Sequence, residues 1–220
     1  MLVVVGGGCF GSYHARQLVK AVRAGALPGE RLLVVDRSPA CAASREFASA
    51  PEVTVVAAGW LEFLREWLAG GGACPEDQVV PAPLAPHLLW EWLAGELGAE
   101  RVPAPDGWRL PYEVPGRSGE RYLSAAGWTC PATCVEPAHC PALHAPRDWD
   151  LAGVIEERAR DLGYRPAVFR CVHLAYGVGG VRVGELLGAR ERAAPGRRIL
   201  VATSSRCHAA VGALRIGGRG

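Results

Sequence analysis

Strand, glycine turn, helix, strand and acid follow one another between Met1 and Asp36, and no other stretch limits the possible folds as strongly. Leu2-Val3-Val4-Val5 is apolar at every position, as in a strand buried on both faces of a parallel sheet. Gly6, Gly8 and Gly11 then fit the spacing Gly-x-Gly-x-x-Gly. In that spacing the first glycine permits a tight turn, the second lets backbone approach a pyrophosphate, and the third lets helix and strand pack closely. Phe10 lies inside the turn and joins the candidate cofactor-binding residues. The helix expected over Ser12 to Arg23 presents unpaired N–H groups and the positive end of its dipole to the turn, an anion site that needs no basic side chain. Leu32-Leu33-Val34-Val35 is a second strand, closed by Asp36, whose carboxylate can accept the ribose hydroxyls of an adenosine and repels a 2′-phosphate. Arg37 can hold a 2′-phosphate, so NAD is the expected cofactor and NADP stays possible. The competing reading is a purely structural glycine loop.

The unit then repeats. Val53 to Ala57 is a third apolar strand, and Leu61, Phe63, Leu64, Trp67 and Leu68 form a helical stripe ended by Gly70-Gly71-Gly72. Gln78-Val79-Val80 is a short fourth strand running into Pro81-Ala82-Pro83, followed by a helix carrying His87, Leu88, Leu89, Trp92 and Leu97. Over residues 1 to 102 these features resemble the nucleotide-binding domain of the glucose-fructose oxidoreductase and inositol dehydrogenase type, in which the fourth strand enters a proline turn with a histidine shortly after. The resemblance implies a Rossmann-like, mostly parallel sheet, with Pro81 and His87 near the cofactor. The Glu-Lys-Pro signature of that family is absent, and Arg101-Val102-Pro103 leads elsewhere. The opening also looks like the nucleotide-sensing regulatory domains of potassium uptake systems, which are not enzymes, so fold likeness alone does not imply catalysis.

Residues 103–126 read as a connection, because Pro103 to Gly119 holds four prolines and three glycines. Trp108, Leu110 and Tyr112 make it an ordered, wrapping segment, and Tyr122-Leu123-Ser124 a short strand. Residues 127–149 form a cysteine-rich loop in which Cys130, Cys134 and Cys140 are spaced Cys-x3-Cys-x5-Cys, two of them followed by proline. Such a proline-rich loop can wrap several thiolates around one centre, and proline after cysteine recurs in iron–sulfur ligation. The spacing is neither a zinc-ribbon pair nor a standard ferredoxin run. An iron–sulfur cluster is the expected occupant, zinc the alternative, and a buried thiol cluster the reading without metal. A fourth ligand is drawn from Cys171, Cys207, His139, His144 and His208, with Cys171 assigned to the metal set, or the fourth position is open. Uncharacterised bacterial proteins look similar across this loop and supply no function.

Residues 150–220 read as a further α/β half: a helix from Ala152 to Leu162, a strand from Ala167 to Leu174, a glycine turn, a helix from Val183 to Arg192, and a last strand from Ile199 to Thr203. Ligands of open α/β sheets collect at the carboxyl ends of strands, so His173, Tyr176, Cys207 and His208 are the candidate catalytic residues, with Arg206 beside them. Each has a plainer alternative, Cys171 as core and His173 as a satisfied backbone partner. The fold class expected is therefore α/β, a Rossmann-like mostly parallel sheet with a cysteine-rich loop insertion and a further α/β half.

Half of the 220 residues are hydrophobic and the net charge is +2, which fits a globular chain and argues against nucleic acid as a partner. No apolar run approaches the roughly 20 residues that span a bilayer, so no membrane is expected and the cytoplasm is the expected compartment. There, eight cysteines serve better as ligands or redox groups than as disulfides. The leading expectation is an NAD(H)-binding oxidoreductase with a cysteine-ligated metal centre, acting on a small molecule, with a protein redox partner and a homodimer both possible. A nucleotide- and redox-sensing binding protein without turnover is the rival. A zinc-stabilised transferase using a nucleotide or S-adenosylmethionine is the third reading.

Overall fold

Short β-branched runs form the strands and amphipathic stretches the helices in the computed structural model, which describes residues 1–28, 31–81, 87–130, 134–192 and 198–217. In chain order they are β1 (Leu2–Val5), α1 (Cys9–Arg23), β2 (Leu32–Asp36), α2 (Ala42–Glu46), β3 (Val53–Ala57), α3 (Trp60–Ala69) and β4 (Gln78–Pro81). Next come α4 (Leu88–Leu97), β5 (Glu100–Val102), β6 (Tyr112–Pro115), β7 (Arg121–Ser124), β8 (His139–Cys140) and β9 (Ala145–Pro146). The rest are α5 (Leu151–Asp161), β10 (Arg165–Arg170), β11 (Val172–Ala175), β12 (Val178–Arg182), α6 (Val183–Glu191), β13 (Arg198–Ser204) and β14 (His208–Arg215). The architecture is mixed α/β, with parallel and antiparallel pairing in separate sheets.

The chain divides into two compact units: Met1–Pro86 with Val172–Leu187, and His87–Cys171 with Gly188–Gly220. In the first unit the sheet order is β11-β12-β4-β1-β2-β3. Strands β1 to β4 are mutually parallel, whereas β12 runs antiparallel to β4 and β11 antiparallel to β12. Leu2, Val4, Leu32, Val34 and Val80 face a core that includes Ala15, Leu18 and Val19 of α1 and Ala43 of α2, while Val3, Val5 and Val35 are fully buried as well. Burial of both faces explains why these strands read as continuous apolar runs.

The second unit builds on the sheet β10-β13-β14-β7-β6, with β5 pairing to β14. Only β10 and β13 are parallel there. Leu200, Ala202, Ala209, Val211 and Ala213 pack with Leu151, Ile155 and Ala159 of α5. The pleat turns Gly212 the other way, against the Trp90 ring of α4, and the Trp90 indole N–H donates to the Ala213 carbonyl at 3.1 Å.

Three expectations change. The first unit closes before α4, not at residue 102, because β5 pairs with β14 of the other sheet. The strand expected over Ala167 to Leu174 is two strands, β10 and β11, which belong to different sheets and break at Cys171. The segment after Pro103 is more than a connection: β6 pairs with β7, Trp108 is buried, and Tyr112 stays half exposed on that edge strand. The proline turn expected after β4 falls at residues 82–86, outside the described residues.

Candidate functional site

In the first unit the glycine turn has the backbone that its spacing requires. Gly6 has a φ of 100°, a region that favours glycine, while its N–H still donates to Val35 at 2.8 Å. A Cβ on Gly11 would lie 1.6 Å from the Gly6 carbonyl oxygen, so helix α1 starts this close to β1 only because Gly11 has no side chain. A Cβ on Gly7 would meet the Cys41 Sγ at 2.5 Å. Gly8 differs: it is the N-cap of α1, in extended backbone, and a Cβ there meets nothing within 4 Å. The turn is thus closed behind Gly7 and Gly11 and open in front of Gly8, where the first N–H groups of α1 lack helical partners. Phe10 is exposed beside it.

Asp36 is tied into this turn. Its carboxylate accepts the Gly7 N–H at 2.7 Å through one oxygen and the Ser38 N–H at 2.8 Å through the other. Each oxygen keeps a further lone pair for an outside donor. The Arg37 guanidinium stacks over the Trp60 ring at 5.7 Å, at the start of α3. Pro81 ends β4, next to Val5 in the parallel register. His87, by contrast, belongs to the second unit, as the N-cap of α4, with its Nε2 3.2 Å from the Glu91 carboxylate.

The four expected catalytic residues fall in different units. His173 and Tyr176 belong to the hairpin β11–β12 of the first unit, in which Tyr176 and Gly177, at φ 45° and 82°, form the two-residue turn. His173 Nε2 accepts the Gly177 N–H at 3.2 Å and so braces that turn, and the Tyr176 ring receives the Lys20 ammonium at 5.1 Å. Cys207 and His208 lie in the second unit, in the turn between β13 and β14.

That turn meets the cysteine loop through Glu136. Its carboxylate accepts the Ser205 hydroxyl at 2.7 Å, the Arg206 N–H at 2.8 Å and the Cys207 N–H at 3.3 Å. The turn is held from two further sides, the Ala125 N–H donating to Cys207 at 2.9 Å and the Leu151 N–H to Arg206 at 3.1 Å. The Cys207 thiol is buried and accepts the Trp149 indole N–H at 3.3 Å, and Trp149 meets Trp128 edge to face at 6.2 Å. Arg147, only 7% exposed, stacks on Trp149 and donates to the Pro137 carbonyl. Its Nε is buried without a hydrogen-bond partner.

Electrostatics join the same groups. Desolvation raises Cys130, helped by Cys134 and Cys140; the Trp128 indole N–H opposes this without reaching full hydrogen-bond geometry. Desolvation also raises Cys207, against the Trp149 hydrogen bond, with Glu136 and Cys130 adding to the rise. Cys140 goes the other way: desolvation is outweighed by the Leu143 and Ala142 N–H groups and the Arg147 guanidinium, which lower it. Arg147 is raised because its desolvation is outweighed by Cys207, Cys140, Glu136 and Cys134. Desolvation lowers the His208 imidazole, with Glu136 opposing, although the residue as a whole is exposed. Among the described residues no three His, Cys, Asp or Glu side chains stand as a ready metal-ligand group. The cysteine drawn to the loop is nevertheless Cys207, whereas Cys171 ends β10 with its N–H on the Ser204 carbonyl at 2.8 Å.

Against known families, residues 85–217 match a model described as an uncharacterised protein, C-terminal domain. The chain belongs to this family. No curated protein and no solved structure matches it. The family's domain takes in the cysteine loop, Glu136, Arg147 and the β13–β14 turn, and begins after the glycine turn. Glu136 and Arg147 were not singled out by sequence reasoning. The signals available were the Glu-Pro after Cys134 and one arginine among the loop's aromatic residues. No helix among the described residues is long and apolar enough to cross a membrane.

Proposed function

We propose that the chain is a cytoplasmic NAD(H)-binding oxidoreductase that holds the dinucleotide on the first unit and a cysteine-ligated metal centre, iron–sulfur with zinc as the alternative, in the second. The observation that carries this reading is the glycine turn, closed by backbone contact at Gly11 and open at Gly8. The strand order β3-β2-β1-β4 supports it, since it is the order of a Rossmann-like mononucleotide-binding half, with a crevice where the order reverses between β1 and β4. The resemblance of residues 1 to 102 to the glucose-fructose oxidoreductase type points the same way.

When bound, the nicotinamide supplies hydride chemistry. The chain's part is to seat a pyrophosphate at the α1 N-terminus, orient a ribose through Asp36, and exclude side chains from the turn. The nucleotide- and redox-sensing reading is favoured by one observation: His173 is committed to its own hairpin turn and Cys207 to the loop, so two candidate catalytic groups already have structural partners. Turnover of NADH with a small-molecule acceptor separates the two.

Asp36→Ala tests the assignment. It removes a charge-assisted hydrogen bond to ribose and is expected to weaken NAD(H) binding by about 1–3 kcal/mol, with NADP(H) affected less or improved. Calorimetric titration of folded wild type and variant with both cofactors gives the comparison. Unchanged affinity for both would take Asp36 out of the site.

A further inference from the structure

Three observations in the second unit converge on one place. The Glu136 carboxylate fastens the β13–β14 turn to the cysteine loop, so residues about 70 positions apart in sequence are held by hydrogen bonds to the Arg206 and Cys207 N–H groups. Cys207 then lies buried under Trp149, whose neighbour Trp128 stands two residues before Cys130. Arg147 is more than nine-tenths buried, and its Nε has no hydrogen-bond partner. A buried donor of this kind costs stability unless something accepts from it. Two Trp rings close to the thiols also make the surroundings poor in water, which favours a centre that loses its own hydration on binding.

We propose that Cys207, and not Cys171, completes a four-thiolate centre with Cys130, Cys134 and Cys140, and that Arg147 offsets its charge. The proposal rests on the reading of a cysteine-ligated centre and names its fourth ligand. Four thiolates are the ligand set of structural zinc and of common iron–sulfur clusters, and either complex carries net negative charge. Each thiol gives up its proton on ligation, and the protons pass to solvent. A buried guanidinium beside such a complex has an acceptor for its orphan Nε–H and a counter-charge for its own desolvation. The loop and the turn are then joined twice, by Glu136 and by the metal.

The test uses the full chain, purified anaerobically and analysed for iron, sulfide and zinc, with reconstitution by zinc(II) alone or by ferrous iron plus sulfide. Zinc gives about one equivalent per chain; a cluster gives iron with matching sulfide and broad visible absorption. Serine variants of Cys130, Cys134, Cys140 and Cys207 should each lose the metal, and Cys171→Ser should keep it. Arg147→Met should retain metal about 10- to 100-fold more weakly, as outer-shell partners do. For variants that do not fold, X-ray absorption at the metal edge of the wild type decides: zinc bound by about four sulfurs at about 2.3 Å is expected, or a cluster with all terminal ligands sulfur. Full metal in Cys207→Ser with loss in the three loop variants overturns the assignment of Cys207 while leaving a loop centre in place. Wild type that holds no metal and accepts none on reconstitution overturns both.

Discussion

Gly8 and Gly11 are three residues apart and should respond oppositely to the same change. Gly11→Ala forces a Cβ against the Gly6 carbonyl, with 1.6 Å between them before any shift, so α1 must move off β1. A cost of about 1–3 kcal/mol or more is expected for such overpacking. Gly8→Ala adds a Cβ to open space in extended backbone, and its urea midpoint should stay near wild type. Similar midpoints for the two variants would mean that the turn is not built as described. These roles were legible in the sequence because a glycine requirement is local, set by a φ or by a contact five residues away. Glu136 was not legible, since its partners Ser205, Arg206 and Cys207 are reached only through the fold. Cys171 was misassigned for the same reason: chain spacing does not say which of two distal cysteines a loop will meet.

At the scale of elements, strands buried on both faces announced themselves, and β1, β2 and β3 match their apolar runs. Strand β14 did not, because Ala-Ala-Val-Gly-Ala-Leu has neither β-branched density nor alternation. Its small residues are a packing device that lets α4 lie close on the sheet. A Cβ on Gly212 would stand 2.4 Å from the Trp90 ring. Gly212→Ala should therefore destabilise the second unit by about 1–3 kcal/mol and shift tryptophan emission as Trp90 is displaced. A variant of wild-type stability would show that Trp90 does not pack where it is described. The break at Cys171 was hidden in a run, Ala167 to Leu174, that reads as one strand because sheet membership leaves no mark on local pattern.

At the scale of the whole molecule, the sequence order strand, turn, helix, strand marked the first unit, while its second segment, Val172–Leu187, is set by pairing of β12 with β4 and could not be read locally. The two candidate sites lie in separate units, the glycine turn in one and the cysteine loop in the other, and the central claim concerns the first. Isothermal titration of the full wild-type chain with NADH, beside Gly8→Val at the same concentration, tests it most directly. Saturable binding of about one NADH per chain is expected in wild type, and none in the folded variant, whose branched side chain fills the space before the turn. Folded wild type that binds neither NAD(H) nor NADP(H), or a Gly8→Val chain that binds as well as wild type, would contradict the account.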